Sequence, residues 1–101
     1  MNAKELIEKW VSERKSFYFF LPDGPYGRPF DNQYLIDKVE EINGDMTIRF
    51  KEDLALYFTG NVNVVDEGCN LLIGGYKTCD FFVNGSLEKS FDYGEIALSG
   101  F

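Results

Sequence analysis

The chain contains no histidine. The commonest general base and the commonest metal ligand are therefore missing. Ser-His-Asp and Cys-His nucleophile systems are excluded, and so is His-ligated zinc. Cysteine is scarce as well: Cys69 and Cys79 are the only two, too few for the disulfide scaffold of a small secreted domain. No segment approaches the roughly 18 consecutive apolar residues of a membrane span. The N-terminal MNAKELIEKWVSERK carries charges every few residues, whereas a secretory leader needs an uninterrupted apolar run of about 7–15. A reduced, cytoplasmic protein is the simplest expectation.

Phosphate and calcium loops are lacking too. Gly74-Gly75 is followed by Tyr-Lys-Thr, without the preceding glycine and the helix that a P-loop needs. No loop has the spaced carboxylates and terminal glutamate of a calcium site. With these classes removed, the expectation is a protein that is not an enzyme, has no catalytic residues, and uses no cofactor and no metal.

Positive charge is the remaining shortage. Ten Lys and Arg face 17 Asp and Glu, for a net charge of −7. Residues 1–51 hold 8 basic and 9 acidic groups, while residues 52–101 hold 2 basic (Lys77, Lys89) and 8 acidic. An acidic half repels phosphate backbones, which bind through Lys and Arg displacing counterions. Nucleic acid and anionic membrane are thus poor partners, and a protein with a basic surface is a better one.

Aromatic residues are what the chain has in excess: ten Phe, six Tyr and one Trp among 101 residues. Each aromatic removes on the order of 150–250 Å² from water when buried. A chain of this length reads as one domain, residues 1–101, able to bury roughly 60–70% of its unfolded surface.

Local patterns predict one helix and then strands. Asn2 can cap a helix and Glu5, three residues on, can complete a capping box. Ala3, Leu6, Ile7, Trp10 and Val11 share one face at spacings of three and four, predicting a helix through about Lys15 that docks Leu6, Ile7 and Trp10. Glu5 and Lys9 stand in the favoured order for an ion pair. SFYFFL (16–21) reads as a strand covered on both faces. YLIDKVEEI (34–42), Asn43-Gly44 and MTIRF read as a hairpin. A two-residue loop there sets Val39 opposite Ile48 but Lys38 opposite Arg49, which leaves a bulged loop open as the alternative. LALYFT (54–59), VNVV (62–65), CNLLI (69–73), YKTCDFFV (76–83), LEKSF (87–91) and EIALS (95–99) follow, punctuated by glycine turns every eight to twelve residues. The fold class is α+β: an N-terminal helix packed on a mainly antiparallel sheet of about seven strands, a meander closing toward a sandwich or barrel.

Several residues are candidates for chemistry. Cys69 and Cys79 flank Gly74-Gly75, so an odd-numbered hairpin loop would set them opposite each other as a redox pair. Against that, cysteine usually behaves as a small buried hydrophobe. Asp66-Glu67 and Glu52-Asp53 could act as paired acids, although adjacent turn residues point apart and solvated turns explain them. Tyr57 and Tyr76 could share an exposed binding face, or could be half-buried as in most small β-domains.

The strongest candidate is PDGPYGRPFDNQY (22–34), which holds all three prolines of the chain. Pro22 and Pro25 fix φ, Gly24 and Gly27 supply conformations that Cβ forbids, and Arg28 before Pro29 is biased extended. Asp31 and Asn32 can accept backbone amides in Asx turns. One reading is a structural pin, with Arg28 pairing Asp31. The other is a stiff loop presenting Tyr26, Arg28, Asp31 and Asn32 to a partner at low entropic cost.

This stretch resembles a segment of the form P-x-G-x-x-G-R-P-x-D-N shared by small uncharacterised bacterial proteins of about this length. The C-terminal YGEIAL is loosely similar to their ends. The likeness covers about a fifth of the chain. It implies a bacterial origin and a recurring loop, and supplies no mechanism.

Two functions follow as expectations. The first is a small acidic protein-interaction module, of adaptor or immunity type, masking a basic partner. The alternative is a small-molecule-binding domain whose barrel mouth is lined by Phe and Tyr. Homodimerisation through an open sheet edge is a further expectation, because not every edge shows protective Pro or Lys.

Overall fold

A computed structural model describes residues 2–14, 17–20, 35–51 and 53–100. Among them one helix, α1 (Ala3–Ser12), precedes nine strands: β1 (Phe17–Phe20), β2 (Ile36–Ile42), β3 (Asp45–Phe50), β4 (Leu54–Thr59), β5 (Asn63–Asp66), β6 (Asn70–Gly74), β7 (Thr78–Val83), β8 (Ser86–Phe91) and β9 (Ile96–Gly100). Every segment with strand character in the sequence is a strand, so the count is nine where about seven were expected. All pairings are antiparallel, in a four-stranded sheet ordered β1-β9-β6-β5 and a five-stranded sheet ordered β2-β3-β4-β7-β8. Among the described residues each sheet ends in two edge strands, so the architecture is a sandwich and not a closed barrel.

Alternation along the strands builds the core. Met46, Ile48, Leu56, Phe58 and Phe81 of the five-stranded sheet share one buried cluster with Leu71, Ile73, Ile96 and Leu98 of the four-stranded sheet. Side chains at i and i+2 share a face, so each of these strands turns one alternate set of residues, apolar throughout, to the interior.

The helix closes one side of the sandwich by packing against β2 and β5, one edge strand of each sheet. Its N-terminus is the expected capping box: Glu5 N donates to Asn2 Oδ1 at 2.8 Å, and Asn2 N donates to Glu5 Oε1 at 3.3 Å. Glu5 is thereby drawn to the cap, and the observed ion pair is Lys4–Glu8 at 3.1 Å instead of Glu5–Lys9. Ile7 and Trp10 are buried, with Ala3 and Val11 packed alongside. The helix stops at Ser12, short of the expected Lys15. Ser12 Oγ donates back to Lys9 O at 2.7 Å, and Arg14 Nη1 to Trp10 O at 2.8 Å. These side chains satisfy the last carbonyls and replace a further turn.

The β2–β3 hairpin has the expected two-residue loop, with Asn43 (φ 52°) and Gly44 (φ 87°) both left-handed. Val39 faces Ile48 and Lys38 faces Arg49. The like charges are tolerated because Glu40 stands beside both, 2.7 Å from Arg49 Nε and 3.7 Å from Lys38 Nζ. The Arg49 hydrogen bond is the main cause that holds the Glu40 carboxyl below its ordinary 4.5. No bulge is needed at the loop. The bulge comes at the far end, between Ile36 and Lys38, where Asp37 is the extra residue. It lets Ile36 and Val39, three apart, both turn toward the core.

Gly74-Gly75 does not close a hairpin. It begins a crossover that carries the chain from β6 in one sheet to β7 in the other. That crossover lies against the β4–β5 crossover: Lys77 N donates to Thr59 O at 2.7 Å, and the Thr59 and Thr78 hydroxyls share a hydrogen bond. Cys69 and Cys79 consequently do not face each other as a redox pair. Cys69 is exposed before β6, Cys79 is buried within β7, and both thiols are free. Burial pushes the Cys79 thiol up to about 12, keeping it protonated and inert.

Candidate functional site

The outer face of the five-stranded sheet carries an open depression of about 590 Å³. β3 and β4 present Thr47, Arg49, Ala55 and Tyr57 outward, because their alternate residues fill the core. Register extends this face sideways: Arg49 pairs with Ala55, Ala55 with Phe82, and Phe82 with Leu87 on the edge strand. Ala55, Phe82 and Leu87 thus form a cross-strand apolar row, and Leu87 at its end is 57% exposed.

Two hollows meet along β3 and β4 and share Thr47, Arg49 and Tyr57. The larger, about 590 Å³, is floored by Ala55, Leu54, Phe82 and Tyr57 and rimmed by Asp37 and Asp53. The smaller, about 260 Å³, continues toward the Asn43-Gly44 loop past Glu40, Ile42 and Asp45. Together they make one trough. Both register irregularities of this sheet flank its wider end, one at Ile36/Lys38 and the other at Phe81/Phe82. The bulge in β2 brings Asp37 to one side of the hollow, and Phe82 borders the other side by its outward place in the alternation of β7.

Tyr57 is the centre of the trough. Its hydroxyl donates to Asp45 Oδ2 at 3.0 Å, and Asp45 Oδ1 accepts Gly60 N at 3.4 Å. The Asp45 hydrogen bond, then desolvation and the Asp45 and Asp80 charges, raise the phenol above its ordinary 10.0. It is therefore a neutral donor at physiological pH, with its ring available for stacking.

Charge around the trough is mostly negative. Arg49 is matched by Glu40. Among the described residues, no cation pairs with Asp37, Asp53 or Asp45. No group of three or more Cys, Asp or Glu converges as a metal site among those residues. No described helix is long and apolar enough to cross a membrane.

The sequence candidates fare differently. Tyr26, Arg28, Asp31 and Asn32 lie outside the described residues, as does Glu52. Tyr57 belongs to the trough, but Tyr76 does not share its face. Tyr76 is buried against Phe58, ring centroids 5.5 Å apart, and its hydroxyl donates to Tyr93 O at 2.8 Å. Asp66 accepts Gly68 N at 2.9 Å, as a turn residue does. Asp37, Arg49 and Phe82 were missed by sequence reasoning. A signal existed for Asp37: Ile36 and Val39 stand three apart in a strand segment, a spacing only a bulge reconciles with one buried face.

No family model matches the chain, and neither a curated protein nor a solved structure matches it.

Proposed function

We propose that this protein is a non-enzymatic interaction module, of adaptor or immunity type, that holds a partner along the outer face of its five-stranded sheet. One observation carries the reading: an open trough with an apolar floor (Ala55, Phe82, Tyr57) lies on a face that the fold otherwise gives to solvent. Apolar side chains that pack no core are the usual mark of a contact surface.

Three of the four edge strands support the face over the edge as the place of contact. β5 has four residues and the helix beside it. β2 is bulged at Asp37, and β8 is irregular beside Leu87 and sets Lys89 opposite the buried Phe81. Short length, bulges and inward charge all oppose strand addition.

A small-molecule ligand is the second reading. The larger hollow falls within the roughly 300–1,000 Å³ of ordinary ligand sites. The barrel-mouth version of that reading has no support, since the sheets form a sandwich with a filled interior.

The test compares cell-lysate capture by wild type and by a Tyr57→Ser/Phe82→Ser variant, both checked for folding by circular dichroism. A protein retained by wild type and lost by the variant is the expected result. Equal capture by both, or capture of nothing specific, overturns the reading.

A further inference from the structure

We infer that the segment seated in this trough is extended and cationic, with one apolar side chain between two Lys or Arg residues. The inference rests on the trough being the binding surface, as proposed above.

Charge and shape both select this chemistry. The floor is apolar at the wide end, where Phe82 and Ala55 sit side by side across β7 and β4. Carboxylates stand at both ends. Asp37 and Asp53 rim the wide end, and Asp45 stands at the other, beside the hairpin loop. Among the described residues the single lining cation is Arg49, already matched by Glu40 at 2.7 Å. A neutral or anionic segment would leave these acidic stations unpaired or repelled, whereas Lys or Arg at each end would pair them.

Length fixes the spacing. β3 runs six residues from Asp45 to Phe50, about 17 Å end to end at roughly 3.3 Å per residue. An extended segment points every second side chain at the same face. Cations at positions i and i+4 lie about 13 Å apart, and their flexible stems cover the rest. Position i+2 then falls over Tyr57 and Phe82. An aromatic there stacks on two rings and sits near a phenol that stays neutral and already donates to Asp45. Arg at either end adds bidentate pairing that Lys lacks.

The probe is an acetylated, amidated peptide, Lys-Ser-Phe-Ser-Lys, titrated into the isotopically labelled full chain at low salt and followed by amide chemical shifts. Two controls replace both Lys by Glu, or Phe by Ser. The expected result is binding with Kd of about 1 mM or tighter, with the largest shifts at Thr47, Ala55, Tyr57 and Phe82. Each control peptide should bind at least about tenfold more weakly. Asp37→Asn/Asp53→Asn, which keeps the apolar floor, should weaken the Lys peptide severalfold and leave the Glu peptide unweakened. If the Glu peptide binds the trough as well as the Lys peptide, the cationic inference is overturned while the trough remains a binding surface. If the Lys peptide shifts residues elsewhere, its attraction is general charge and the inference fails. If no peptide shifts the trough residues, both the inference and the reading beneath it lose their support.

Discussion

Arg14 lies over the indole of Trp10, its guanidinium carbon 4.2 Å from the ring centroid, and both side chains donate to the carbonyl of Gly68. Gly68 sits in the β5–β6 turn at φ +81°. One backbone oxygen thus ties the end of the helix to a hairpin of the four-stranded sheet, more than fifty residues away in sequence.

That tie predicts an ordered set of losses. Arg14→Ala removes a cation–π contact and two charged hydrogen bonds and should cost about 1–3 kcal/mol. Trp10→Phe keeps a ring but loses the Nε1 bond to Gly68 and should cost about 1–2 kcal/mol. Trp10→Ala should cost about 3–5 kcal/mol. Urea unfolding midpoints with an unchanged slope check the order.

Two glycines with the same φ of +81° should respond differently to alanine. At Gly85 a Cβ meets nothing within 4 Å, so only the left-handed backbone opposes it, about 1–2 kcal/mol. At Gly60 the Cβ would stand 3.1 Å from Lys77 Cβ and N, in the crowded crossover. Gly60→Ala should therefore lose about 1–3 kcal/mol more than Gly85→Ala. Thermal midpoints of the two variants decide it.

The two cysteines should differ in reactivity. Cys69 is exposed and Cys79 is buried with its thiol pushed up to about 12. A maleimide at neutral pH should label Cys69 within minutes and leave Cys79 intact until denaturant is added, as peptide mass mapping would show. Equal labelling of both in the native protein would contradict the packing of β7 described here.

Alkaline pH should destabilise the fold through two buried groups. Burial, then the charges of Cys79, Glu95 and Tyr93, push Tyr76 from 10.0 up to about 12, while Cys79 moves from 9.0 up to about 12. Both are raised, so the native state keeps protons that the unfolded chain releases. Their contribution is whole below pH 9.0, falls as pH rises and is gone above about 12. Stability measured by urea between neutral pH and about pH 11 should decline, and more gently in Cys79→Ala.

Deleting Asp37 should be tolerated. Without it Ile36, Lys38 and Val39 alternate in, out and in, as a regular strand does. Nuclear Overhauser contacts between Val39 and Ile48 should persist, with a stability loss of about 1 kcal/mol or less. Loss of those contacts would mean that the bulge is required for folding.

Much of this fold is legible residue by residue. The capping box of Asn2 and Glu5, the Asn43-Gly44 turn and the pairing of Val39 with Ile48 each depend on a few neighbours along the chain, and each is present. The trough is less legible. Tyr57 was visible as an outward residue of β4, but Phe82 joins it only because β7 lies beside β4 instead of beside β6. Gly74-Gly75 shows why. Its local chemistry suits a hairpin, yet a Cβ on Gly74 would meet Glu95 at 3.2 Å, and one on Gly75 would meet Asn63 at 3.2 Å. Those glycines serve the packing of crossovers from distant parts of the chain.

The sequence by itself determined which segments are helix or strand, the capping box that opens the helix, and the Asn43-Gly44 turn. These properties follow from φ preferences and from side-chain periods of 3.6 and 2, which act over a few residues. Tertiary structure decided which sheet each strand joins, that Cys69 and Cys79 stand apart, and that Asp37, Tyr57 and Phe82 border one trough. Those outcomes depend on burying two apolar sheet faces against each other, and that burial is settled between residues far apart in the chain.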